Sequence, residues 1–135
     1  MATKVLDSWA VLAFYQGEPA GEDVERLIES ASSSGKPLLL SAVNWAEIYY
    51  SMERAGGRQA ADEAVADLAT LPIDVVGVGD DLKLARLAAQ FKARHKMSLA
   101  DAFAAALAKE KKAELVTGDP EFKALEKEIK INWLK

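Results

Sequence analysis

The chain has 135 residues, half of them hydrophobic, with no cysteine, a single histidine and a net charge of -4. That length suits one domain spanning residues 1–135. The lack of cysteine rules out disulfides and thiolate-bound zinc, and a lone His95 leaves little material for a Ser-His or Cys-His nucleophile.

Net acidity argues against binding nucleic acid through bulk charge. The charge is uneven, however: residues 1–70 hold 5 basic and 11 acidic side chains, whereas residues 71–135 hold 12 and 10. The apolar run over residues 9–15 is far too short to span a membrane, and no charged segment followed by an apolar one opens the chain. A soluble, cytoplasmic protein with no membrane association is the expectation.

Short apolar runs alternate with longer helical ones. Residues 3–7 read as a strand and 8–16 as a helix. Residues 21–33 read as a second helix, with Val24, Leu27, Ile28 and Ala31 on one face. A strand over 36–41 leads to a helix over 43–55, stopped by Gly56-Gly57, and another over 58–71. Residues 73–78 form a third strand, 80–96 a long amphipathic helix and 98–112 a nearly all-apolar one. A fourth strand covers 114–117, a short helix 120–127, and the alternating run 129–133 reads as an edge strand. This alternation is the pattern of a parallel sheet covered by helices on both faces, whose ligands bind at the carboxyl ends of the strands.

Four acids stand in segments that otherwise read as core. Asp7 ends Lys4-Val5-Leu6, Glu47 lies within the aromatic stretch at 44–50, Asp101 opens an alanine-rich helix, and Asp119 follows Leu115-Val116-Thr117-Gly118. A carboxylate buried there must be paired, neutralised or bound to a cation. Each acid also has an ordinary explanation. Asp7 precedes a helix, although Ser8 can cap that helix and leave Asp7 without a structural task. Glu47 can be solvated beside Arg54 or Arg58, while Asn44, one turn earlier, offers a second polar group toward an ion. Ser98-x-x-Asp101 matches a capping box, and Asp119 before Pro120 makes a good N-cap. His95 is expected to be solvated near a helix end, and Trp9 to pack within the helix that follows Asp7.

Gathered carboxylates suit Mg²⁺ or Mn²⁺, and such a site hydrolyses phosphodiesters through activated water without a protein nucleophile. Gly77-Val78-Gly79 lacks the Gly-Lys-Ser/Thr ending of a phosphate-binding loop. With Val5-Leu6-Asp7-Ser8, Asn44-Trp45-Ala46-Glu47, Ser98-Leu99-Ala100-Asp101-Ala102 and Val116-Thr117-Gly118-Asp119 in this order, the chain resembles the PIN-domain ribonucleases, specifically the VapC-type toxins of toxin–antitoxin pairs. The resemblance implies an α/β fold, a three-layer α/β/α sandwich around a mostly parallel sheet. It implies Asp7, Glu47, Asp101 and Asp119 as the catalytic, metal-binding acids, supported by Ser8, Asn44 and Thr117. It implies endonucleolytic, Mg²⁺- or Mn²⁺-dependent cleavage of RNA, a cognate antitoxin, and a homodimer or toxin–antitoxin hetero-oligomer.

The alternative is a non-catalytic phospho-acceptor or partner-binding α/β module. A receiver-type module needs paired acids after its first strand, where this chain has Asp7-Ser8. A metal-dependent phosphatase is a further alternative, but the chain lacks the Asp-x-Asp signature because position 9 is Trp.

Overall fold

The computed structural model describes residues 2–135. Five strands, β1 (Lys4–Leu6), β2 (Leu38–Ser41), β3 (Ile73–Val76), β4 (Glu114–Thr117) and β5 (Lys130–Trp133), form one sheet in the order β3-β2-β1-β4-β5. Every pairing is parallel; Val5 faces Leu39 on one side and Leu115 on the other. The helices are α1 (Ser8–Tyr15), α2 (Ala20–Ser34), α3 (Ala42–Gly56), α4 (Arg58–Leu68), α5 (Lys83–Arg94) and α6 (Leu99–Glu110), and the turn Pro120–Leu125 is 3-10.

Alternation along the central strands creates two cores. Val5 and Leu115 point into a layer built with Phe91 of α5, Phe103 and Leu107 of α6, and Phe122. Leu6, Leu40 and Val116 point into the opposite layer, with Val11, Val24, Ile28, Ile48 and Leu68 from α1 to α4. This is the three-layer α/β/α sandwich. The central strands, buried on both faces, carry almost unbroken apolar runs. Strand β3 lies at an edge, so Asp74 and Val75 are exposed there, and the strand stops at Val76 instead of continuing to Val78.

The chain builds outward from β1 to β2 and β3, then returns to the other side of β1 for β4 and β5. The reversal leaves a crevice between the carboxyl ends of β1 and β4, where open parallel sheets bind ligands. No helix among the described residues is long and apolar enough to cross a membrane.

Candidate metal centre

Asp7 directly follows β1, Asp119 lies two residues past β4, and Glu47 sits in the second turn of the helix that follows β2. Asp101 occupies the first turn of α6, the helix whose far end leads into β4. Topology thus brings acids more than ninety residues apart to the carboxyl edge of the sheet.

Asp7 is fully buried and caps α1 itself: its Oδ1 accepts from the Ala10 amide at 2.8 Å. Its Oδ2 accepts from the Thr117 hydroxyl at 2.5 Å. The expectation that Ser8 takes the capping task is therefore corrected. Ser8 Oγ is engaged elsewhere, accepting from Asn44 Nδ2 at 3.0 Å and donating to the Asn44 carbonyl. Asn44 is equally committed. Its Nδ2 also donates to the Ala100 carbonyl at 3.1 Å and its Oδ1 accepts from Ser41 at 2.7 Å. This amide ties α1, α3 and the start of α6 together and is spent on protein partners, not offered to an ion.

At the rim, Ser98 Oγ accepts from the Asp101 amide at 3.1 Å, which makes Ser98 the N-cap of α6. Asp119 caps the 3-10 turn, accepting from the Glu121 amide at 2.9 Å, while its own amide donates to Thr117 Oγ1 at 3.0 Å. Asp7 and Asp119 thus each combine a capping bond with a place at the carboxyl edge of the sheet. Carboxylate oxygens of Asp101, Asp119 and Glu121 all lie within 4.8 Å of one another. Glu47, half-buried, accepts from the Tyr50 hydroxyl at 3.4 Å. Arg54 stacks over the Tyr50 ring, 5.4 Å from its centroid, instead of pairing with Glu47.

Electrostatics bind the cluster into one unit. Burial pushes the Asp7 carboxyl up to about 7, against the lowering effect of its bonds from Thr117 and Ala10; the charges of Asp101 and Asp119 add to the rise. Asp101 is raised to about 6, by burial first, then by Asp119 and Glu47, with Ser98 opposing and Glu121 adding a smaller push. Among the described residues the ion pairs join Asp23 to Arg26, Glu114 to Lys130, and Glu128 to Arg94 and His95, so none neutralises these acids.

Glu121 is the acid missed in the sequence. The signal was Asp119-Pro120-Glu121: an acid two places past an N-cap shares the first turn with it, but an acid there is ordinarily read as favouring the helix dipole. His95 also differs from expectation. It is half-buried, with Nε2 2.8 Å from Glu128 Oε2, on the segment leading into β5.

A family model for the PIN domain matches residues 4–128. The chain belongs to the PIN-domain family. Solved structures share its fold at low identity. The DNA-bound VapBC from Salmonella typhimurium matches at 15% identity and a TM-score of 0.73, over 98% of each chain. VapC20 of Mycobacterium tuberculosis, a Sarcin-Ricin loop cleaving toxin, matches at 22% identity and 0.70, over 90% of this chain and 94% of its own. FitAcB from Neisseria gonorrhoeae matches at 18% identity and 0.67, over 96% of both. Comparison with curated proteins by sequence finds no match.

Proposed function

We propose that this PIN-domain protein is a VapC-type toxin, an endoribonuclease dependent on Mg²⁺ or Mn²⁺ and held in check by a cognate antitoxin in the cytoplasm. The observation that carries the reading is the convergence of Asp101, Asp119 and Glu121 within 4.8 Å at the carboxyl edge, with the charge of Glu47 bearing on Asp101 and the charges of Asp101 and Asp119 bearing on Asp7. The donors are all carboxylate oxygens with no basic partner, the set that a hard divalent cation takes. Asp101, Asp119 and Glu121 would hold the ion at the open rim, with Glu47 beside Asp101 and Asp7 beneath. Bound there, a divalent cation would supply an acidified water and offset charge on a phosphodiester. The protein's own part is to hold the acids in place: Thr117 fixes Asp7, and Ser98 and the 3-10 turn fix the rim.

The VapBC and VapC neighbours support the toxin reading and its partners, an RNA substrate and an antitoxin, in a homodimer or a toxin–antitoxin hetero-oligomer. A phospho-acceptor role is disfavoured, because Asp7 has no exposed surface and both its oxygens are bonded. Incubating the protein with RNA in Mn²⁺, with and without EDTA, tests the reading. Internal cleavage in Mn²⁺ that stops on chelation is expected; cleavage that persists in EDTA rejects the metal role.

A further inference from the structure

Gly118 lies between the two residues that organise the centre. Thr117 bonds Asp7 and receives the amide of Asp119. Its backbone does not lie in the left-handed region, unlike that of Gly17, Gly35, Gly57 and Gly79. Conformation therefore does not require glycine at this position. Space does. A Cβ at 118 would fall 2.2 Å from Cη2, 2.4 Å from Cζ3 and 2.8 Å from Cζ2 of Trp9. The outer edge of the indole's six-membered ring, Cζ2 to Cζ3, thus lies against the turn between Thr117 and Asp119. Trp9 itself is anchored in α1, immediately beyond the helix cap made by Asp7, and packs against the layer containing Leu6 and Val116. One side chain thus leans from the Asp7 side of the crevice onto the Asp119 side.

We propose that Trp9 is a positioning residue: its indole, seated on Gly118, sets the Thr117–Gly118–Asp119 turn and so the place of Asp119 in the metal centre. The proposal rests on the metal reading above and adds a residue that acts through the turn it supports and not as a ligand. A packed contact of this kind has two faces. It fixes the turn while the partner is glycine, and it becomes a collision once position 118 acquires a side chain. Replacing Trp9 by a shorter residue should therefore be harmful in one background and helpful in the other.

The test is a double-mutant cycle with Gly118→Ala, Trp9→Leu and the pair. Mn²⁺ affinity is read by titration, and kcat and KM on a labelled mixed-sequence RNA oligonucleotide. Gly118→Ala should weaken Mn²⁺ binding about tenfold and lower kcat by about ten- to a hundredfold with KM changing less, since misplacement on the order of 1 Å has effects of this size. Trp9→Leu alone should cost less, and added to Gly118→Ala it should recover most of the loss.

A Gly118→Ala protein that binds and cleaves like wild type overturns the proposal. So does a Trp9→Leu change that costs the same in both backgrounds, or one that shifts only the melting temperature. If Gly118→Ala alone does not fold, a folded, Mn²⁺-binding double variant supports the pairing, and a double variant that also fails to fold overturns it. Wild-type protein without any Mn²⁺ response would instead remove the metal reading, and this proposal with it.

Discussion

Asp7 forms the floor of the acidic cluster, with no exposed surface and both oxygens bonded to protein. Asp101, Asp119 and Glu121 form its rim, partly or fully open, with oxygens near enough to share one ion. Both regions carry raised carboxyl groups, with burial the leading cause for Asp7 and for Asp101. They differ in what compensates. The floor is held by a hydroxyl and a helix amide, so it survives without a cation, while burial makes it hold its proton more tightly. The rim has charge repulsion, offset by Ser98 at Asp101 and by the Glu121 amide at Asp119. The lesson is that one cluster divides two tasks: a buried carboxyl bonded to protein that holds its proton to about pH 7, and a more open set of oxygens near enough to share an ion.

The largest effect separates the two tasks by activity. Asp101→Asn should reduce Mn²⁺-dependent RNA cleavage about a hundredfold or more, because it removes a rim oxygen and a charge together. Glu121→Gln should cost about tenfold, acting mainly through Mn²⁺ affinity, since Glu121 is exposed and its charge bears less on Asp101 than that of Asp119. Initial rates over a Mn²⁺ series measure both. If extra Mn²⁺ rescues Asp101→Asn fully and Glu121→Gln not at all, the division within the rim is reversed.

The floor is tested by pH. Folded Asp7 keeps its proton up to about pH 7, whereas an ordinary aspartate releases it near 3.8. Between those values the folded state binds more protons, so stability is fully present below about pH 4 and is lost as pH rises toward 7. Asp101 adds a loss of the same sign ending near pH 6. For Asp7 the span corresponds to on the order of 4 kcal/mol. Melting in EDTA should therefore occur at a lower temperature at pH 8 than at pH 5. Asp7→Asn should flatten this dependence while keeping the helix cap, since asparagine caps about as well as aspartate. An unchanged pH slope in Asp7→Asn would place the titrating group elsewhere. Mn²⁺ at a hundredfold over its dissociation constant should restore about 2.7 kcal/mol at pH 8, a gain that Asp101→Asn should reduce.

The fold was legible because parallel strands buried on both faces show as apolar runs, and Val5-Leu6 and Leu38-Leu39-Leu40 do so plainly. Asp7, Asp101 and Asp119 were legible for the converse reason: each interrupts or ends such a run. Glu121 was not, and Asn44 was legible as a polar residue of the site but not as the tie between helices that it is. Glu121 looks like a surface helix acid, and the partners of Asn44, Ser8 and Ala100, lie 36 and 56 residues away. No local pattern reports which way an amide turns when helices meet. In the sequence Gly118 looks like an ordinary turn glycine after a strand, and only the position of the Trp9 ring shows that it is there for space.

Asn44 supports the floor and rim jointly, which predicts an intermediate effect. Asn44→Ala would strip Ser8, Ser41 and the Ala100 carbonyl of a partner in a buried setting. The expected cost is about 1–3 kcal/mol in chemical denaturation. Cleavage at a temperature where the variant stays folded should fall less than in Asp101→Asn. A variant as stable as wild type would mean that water replaces the amide without loss.

The smallest effect belongs to His95, outside both regions. Its ring nitrogen meets Glu128, which also holds Arg94 at 3.2 Å, and the ring tilts against Phe91 at 6.5 Å. Removing it leaves Glu128 with Arg94, so no charge is stranded. Partly exposed pairs of this kind contribute about 0–1 kcal/mol. His95→Ala should therefore shift the melting temperature slightly and leave kcat and the Mn²⁺ response intact. The comparison with Asp101→Asn is sharp, because the chain's one histidine is the residue that acid–base catalysis without metal would need. If His95→Ala abolished cleavage while Asp101→Asn kept it, the carboxylate centre would be the wrong site, and the proton transfer would have to be sought beside Glu128.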